Sequence, residues 1–289
     1  MAGPRIGFNL LLWTTCVAEE HLPLIQSLAA VGYDGVEIPL LDPARDQPAL
    51  VARCASDHGI ACTAMTALPG PDHNPCSENP VERQRATDFL KRTLDAAAVL
   101  GAASLIGPTY QPLAVFTGHP VTETEWRRCV DVHREVGQHA AALGIVFAVE
   151  PLNRFEAHVL NTIADGAAFV RDVGLPNLRQ MADTFHLNIE EKDPRRAVAE
   201  NLDTLVHFHL SENDRGTPGE GRGPIPEVIE AALAGGYQGW FVLEAFGRGL
   251  PAMAAAVRVW RDFFPSEEFA YTRGLANIRA LLAAQAAKS

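Results

Sequence analysis

Few features of the sequence would suit a secreted, membrane-spanning or nucleic-acid-binding protein. Its five cysteines (Cys16, Cys54, Cys62, Cys76, Cys129) are an odd number with no CxxC pair, which argues against a disulfide framework and a cysteine zinc site. They are expected as reduced thiols. No apolar run approaches the ~20 residues needed to cross a bilayer. The opening MAGPRIGFNLLLW carries one arginine before a short apolar run, with no small-x-small cleavage site after it, so it reads as a first strand and the protein is expected in the cytoplasm, away from membranes. Basic charge is also scarce: 24 Lys and Arg face 35 Asp and Glu, a net charge of -11 that repels a phosphate backbone, and no Lys/Arg stripe offsets it. Nucleic acid is therefore excluded as a partner. Aromatic residues make up only 7% of a chain that is 47% hydrophobic, which predicts a core built from Ala, Val, Leu and Ile. Without a Pro/Ser-rich linker, a low-complexity segment or an internal repeat, residues 1–289 are expected to form one domain.

What is present is an alternation. Short β-rich runs recur as RIGFNLLLW (5–13), GVEIPL (35–40), ACTAMTA (61–67), ASLIGPT (103–109), IVFAVEP (145–151), LRQMADTF (178–185), LVHFHLSE (205–212) and GWFVLEAF (239–246). Between them lie stretches with apolar residues at helical spacing, ending at Gly32, Gly59, Gly101, Gly144, Gly174 and Gly236. Glycine relieves the steric penalty of a left-handed cap, so each marks a helix-to-strand junction. Strand and helix alternating eight times predict a parallel sheet with crossover helices. An open doubly wound sheet usually carries a Gly-rich first turn; the first loop here, WTTCVAEEH, has none, so closure into a (β/α)8 barrel is expected. Residues 266–289 read as a C-terminal helical extension that caps the barrel or meets another subunit.

In such a barrel the loops after the strand C-termini build the active site, so a polar residue ending an apolar strand is informative. Four consecutive strands end this way, with Glu150, Asp183, His209 and Glu244. Three carboxylates and one imidazole suit Mn²⁺, Mg²⁺ or Co²⁺ better than a structural zinc site and leave coordination positions for a substrate. His207 shares a face with His209 one layer deeper and is expected as a hydrogen-bonded core histidine. Glu37 is placed either as a support to the site or in a loop role. Trp13, Phe8 and Phe246 are candidate pocket walls. GTPGEGRG (216–223) has the look of a phosphate cradle but lacks a P-loop lysine, and is expected to be a shaped, flexible loop.

With those residues in place, the chain resembles the ketose 3-epimerases, the D-tagatose, D-allulose (psicose) and L-ribulose 3-epimerase group of the xylose-isomerase-like barrels. The resemblance rests on VEPLNRFE (149–156), ADTFHLNIEE (182–191), HFHLSENDRGTPGEGR (207–222) and VLEAF (242–246), with VWRDF (259–263) as a weaker signature. It implies one divalent metal, manganese first with cobalt or magnesium as alternatives, on Glu150, Asp183, His209 and Glu244. It further implies that both glutamates move protons, that Glu156, His186 and Arg215 bind the carbonyl end of the sugar, and that the protein is a homodimer or homotetramer. The loops MTALPGPDHNP and LLWTTC depart from the family's versions and leave the preferred ketose open.

The expected chemistry is epimerisation of a free ketose at C3 through an enediolate. One glutamate removes the C3 proton and the other returns a proton to the opposite face. Two alternatives keep the same site: an aldose–ketose isomerase shifting hydrogen between C1 and C2, and a sugar-binding barrel that has lost activity.

Overall fold

The eight β-rich runs become eight parallel strands in a computed structural model that describes residues 3–287. They are β1 (Arg5–Asn9), β2 (Gly35–Pro39), β3 (Ala61–Met65), β4 (Ser104–Gly107), β5 (Val146–Val149), β6 (Leu178–Asp183), β7 (Leu205–Leu210) and β8 (Trp240–Leu243). Each pairs with the next, and β1 returns to β8 through Ile6↔Phe241 and Phe8↔Leu243, so the sheet closes into a (β/α)8 barrel. Residues 1, 2, 288 and 289, the ends of the span assigned to this barrel from sequence, lie outside the described residues.

Around the strands run α1 (Leu22–Val31), α2 (Pro48–Asp57), α3 (Pro80–Leu100), α4 (Glu123–Ala142), α5 (Ile163–Val173), α6 (Thr184–Glu190), α7 (Pro194–Asn201), α8 (Ile225–Ala234), α9 (Pro251–Ala256) and α10 (Glu267–Ala286). All six glycines expected to end helices have positive φ. Gly32 shows why: at φ 105° its N–H reaches back to the Leu28 and Ala29 carbonyls, a turn that a Cβ would oppose. The C-terminal helix expected beyond residue 266 is present as α10. It fills the gap in the outer ring between α8 and α1, where Arg279 Nη2 donates to Gly32 O at 2.6 Å and Tyr33 Oη donates to Tyr271 O at 2.6 Å.

Strand 1 is shorter than its apolar run suggests. The Asn9 side chain accepts a 2.8 Å hydrogen bond from Leu11 N, which turns Leu10–Leu12 into a 3-10 helix and ends the ladder. Most of the apolar core lies between the outer barrel face and the helices, and a second apolar cluster holds Met65, Ile106, Ala148 and Met181. Alternate residues of a strand point inward. That parity places Asn9, Glu37, Thr63, His207 and His209 together inside the barrel, where hydrogen bonds and ion contacts join them. Near the opposite end the Trp240 ring fills the interior. A Cβ on Gly35 would lie 2.4 Å from it, so the glycine makes room for the indole.

Candidate active site

Glu150 and Glu244 each sit one residue past a strand, β5 and β8, while Asp183 ends β6 and pairs in register with His209 of β7. The alternation of apolar residues therefore delivers all four side chains inward at the C-terminal mouth. Glu150, Asp183 and His209 each offer one ligand atom within 4.8 Å of the other two. Glu244 stands at the edge of that group, its Oε1 3.4 Å from His209 Nδ1. All four are nearly inaccessible, at 5%, 0%, 1% and 4% exposure.

Arg215 joins two of the carboxylates. Its Nη1 donates to Asp183 Oδ2 at 2.7 Å, to Glu244 Oε2 at 2.9 Å and to Ser211 Oγ at 3.2 Å. The guanidinium lies over Phe185, 3.7 Å from the ring centroid, with Phe246 at 5.1 Å. Its backbone holds φ 64°, uncommon for a side-chain-bearing residue. The loop that follows corrects the expectation of a flexible segment. Buried Glu212 accepts from Gly219 N at 2.8 Å and Gly223 N at 2.9 Å, and Asn213 accepts from Arg222 N at 2.7 Å. The Gly-rich stretch is thus wrapped around a carboxylate of its own chain. Gly221 permits the wrap, since a Cβ there would meet Glu212 Oε2 at 2.3 Å.

Hydrogen bonds fix the two histidines of the mouth differently. His186 Nδ1 receives the Asn153 N–H at 3.1 Å, and a backbone N–H can only donate. The ring's proton therefore belongs on Nε2, which faces Asp183 Oδ2 at 3.6 Å and Glu150 Oε1 at 3.8 Å. Burial lowers the His186 pKa to about 4, so the ring is neutral at pH 7. His209 instead turns Nε2 to Glu37 Oε1 at 2.5 Å, leaving Nδ1 buried, without a hydrogen-bond partner and facing the carboxylates. Burial opposes a charge on His209, but Glu37 and then Glu244 outweigh it and raise its pKa to about 10. His207 is buried one layer deeper, as expected, but the hydrogen bond expected of it is not made: its Nε2 lies 3.0 Å from Glu37 Oε2, off the line of a hydrogen bond, and its Nδ1 has no partner among the described residues.

The carboxylates divide into two kinds. Burial, together with Asp183 and Glu244, pushes Glu150 well above the usual range, against the pull of His209. Burial likewise raises Glu244 to about 7, against His209 and Arg215. Burial acts on Asp183 and Glu37 too, yet Arg215, His186 and His209 hold Asp183 low, and His209 and His207 hold Glu37 low. Burial and crowded like charges make Glu150 and Glu244 favour their protons, and His209 is basic; a divalent cation would take the place of those protons. The orphaned Nδ1 and the oxygens around it form the mixed nitrogen and oxygen donor set such a cation takes. Glu37, His207 and His209 also converge, but the Glu37 carboxylate is already saturated: Thr63 Oγ1 donates at 3.0 Å and Asn9 Nδ2 at 3.2 Å, besides His209. That cluster supports the imidazole.

Glu156 is half-buried on the rim, accepting from Asn153 Nδ2 at 2.9 Å. Phe246 lines the mouth with Leu11, Met65 and Ile106, as the sequence suggests for residue 246. Phe8 and Trp13 do not. Odd-numbered β1 residues face inward, so Phe8 points out and packs on Trp13 at 5.3 Å and Tyr33 at 5.6 Å, with Tyr271 behind them. Sequence reasoning missed Asn9, whose Nδ2 bridges Glu37 at 3.2 Å and Glu244 at 3.1 Å, and Asn153, which orients His186. For Asn9 the signal was there: a lone amide at an inward position of an apolar run.

Known proteins resemble this chain over most of its length. The family described as "Xylose isomerase-like TIM barrel" matches residues 25–274. The D-psicose 3-epimerase of Ruminiclostridium cellulolyticum is 36% identical over 89% of this chain and 88% of its own. That of Agrobacterium fabrum is 34% identical over 83% and 84%. The crystal structure of D-allulose 3-epimerase from Methylomonas sp. in complex with D-allulose superposes with a TM-score of 0.90 at 27% identity, covering 97% of this chain and 99% of the other.

Proposed function

Since the chain belongs to the ketose 3-epimerase group of the xylose isomerase-like TIM barrels, and is thus an enzyme of the isomerase class, we propose that it inverts C3 of a free ketose. The observation that carries this reading is the pair of buried carboxyl groups, Glu150 and Glu244, which enter one pocket from strands three places apart in the barrel, with Asp183 and His209 between them. Inversion needs a base on one face of the carbon and an acid on the other, and two carboxyls reaching the mouth from well-separated strands would supply both.

Glu150, Asp183, His209 and Glu244 would hold one divalent cation, with Mn²⁺ proposed. When bound, such a cation stabilises negative charge developing on the ketose O2 and so acidifies the C3 proton. The neutral His186 Nε2–H would donate to the same oxygen. Arg215, stacked over Phe185, offers the sugar a fixed cationic fork, and Glu156 on the rim accepts from a sugar hydroxyl. One of Glu150 and Glu244 enters the cycle ionised and takes the C3 proton; the other delivers its proton to the opposite face, after which the resting charges are exchanged. Closure of the 216–223 loop on Glu212 supports an unphosphorylated substrate, because the Gly219 and Gly223 N–H groups that would cradle a phosphate are taken. The names of the relatives favour D-allulose and its C3 epimer D-fructose as the first pair to try. The same reading makes the protein a cytoplasmic homodimer or homotetramer, which light scattering would check.

The test is incubation of the Mn²⁺-loaded protein in D2O with a panel of free ketoses. Deuterium at C3 of an inverted product is expected. Deuterium at C1 or C2 with an aldose product moves the assignment to aldose–ketose isomerase, and no exchange with any ketose overturns the free-ketose reading in favour of a phosphorylated substrate or an inactive sugar-binding barrel.

A further inference from the structure

Inside the barrel, below the mouth, Glu37 is fully buried at the centre of β2, an apolar strand whose alternate residue Gly35 faces the Trp240 ring. A carboxylate there is costly unless every lone pair is used. It is well used. Oε1 accepts from His209 Nε2 and Asn9 Nδ2, Oε2 accepts from Thr63 Oγ1, and His207 Nε2 adds a contact at 3.0 Å. The Asn9 amide has no freedom to turn over, since its Oδ1 is committed to Leu11 N at 2.8 Å. Every neighbour thus presents a hydrogen to this carboxylate or stands at its side, and the shortest of these contacts is the one to His209.

We propose that Glu37 is a positioning residue. It obliges the His209 imidazole to carry its proton on Nε2 and to present the Nδ1 lone pair to Glu150 and Asp183, and through its charge it strengthens Nδ1 as a metal donor. A single Asn9 amide couples this support to Glu244, 3.1 Å away on the other side, so two of the four ligand side chains are anchored through one buried network. The inference rests on the reading of those four residues as a metal centre.

Glu37→Gln is the discriminating change. Its amide can keep an oxygen toward His209 and Asn9, with its NH2 toward Thr63, so the geometry survives while the negative charge is lost. The measurement is titration of the apo protein with Mn²⁺ alone, the free ion being followed by its electron paramagnetic resonance signal. Weakening of about ten- to a hundredfold relative to the parent is expected. Parental Mn²⁺ affinity in a folded Glu37→Gln protein overturns the proposal. Should that variant fail to fold, Thr63→Val removes one donor from Oε2 without touching a ligand; a severalfold loss of Mn²⁺ affinity supports the role, and none overturns it. Because no sugar is present, the result separates from the epimerase assignment. A parent that binds Mn²⁺ yet exchanges no ketose proton sinks that assignment while the Glu37 comparison stands, and a parent that binds no Mn²⁺ overturns both.

Discussion

At the scale of single residues, the site is a contest between burial and charge. Glu150 makes no side-chain hydrogen bond among the described residues, whereas Glu244 is held by Asn9 and Arg215, so the two carboxyls are alike in burial but not in support. Glu150→Gln and Glu244→Gln are each expected to lower kcat by about a thousandfold or more while some Mn²⁺ still binds, since an amide coordinates weakly and transfers no proton. Turnover and calorimetric metal titration on the same preparations check this, and near-normal epimerisation by either variant would sink the two-base scheme. These residues were legible in the sequence because each ends an otherwise apolar strand. Glu37 was only half legible: its inward parity follows from its strand, but its four partners come from three other strands, and no local pattern announces a contact across 172 positions, as between Glu37 and His209.

At the scale of elements, the strand and helix periodicities recovered all eight strands and all six glycine-ended helices, because burial on alternating faces leaves a clear trace. Ends of elements were less legible. Asn9 stops β1 and Asp183 caps α6 through side-chain bonds to Leu11 N and Phe185 N, local events that an apolar run does not reveal. The loop 216–223 was misjudged for a related reason, since its glycines signal freedom whereas its shape comes from Glu212. Glu212→Gln leaves one acceptor oxygen for two loop N–H groups, so one buried donor is orphaned at a cost of about 1–3 kcal/mol. The expected outcome is a lowered melting temperature and a raised KM for the ketose, because Arg215 N bonds to Glu212 O and its seat loosens with the loop. Thermal denaturation and initial-rate kinetics read the two effects.

For the whole molecule, acid sensitivity has an identifiable internal source besides the site. His133 of α4 is fully buried, its Nδ1 2.9 Å from Cys129 O and its Nε2 3.1 Å from Thr109 Oγ1, and it is stacked on Phe147. Burial lowers its pKa to about 4. Between about 6.5 and 4 the unfolded chain takes up a proton that the folded ring refuses, so stability is lost as pH falls through that window and levels off below it. From pH 7 to pH 5 the parent is expected to lose about 2 kcal/mol more than His133→Gln, measured by urea unfolding at the two values. Equal losses would refute the assignment. The closing of the barrel has a consequence in time as well as in space. β1 finds its second neighbour only in β8, more than 230 positions later, and the aromatic face of Phe8, Trp13 and Tyr33 packs against Tyr271 of α10. During synthesis β1 therefore waits beside β2 with an open edge until β8 has emerged, and the aromatic patch behind it stays bare until α10 follows.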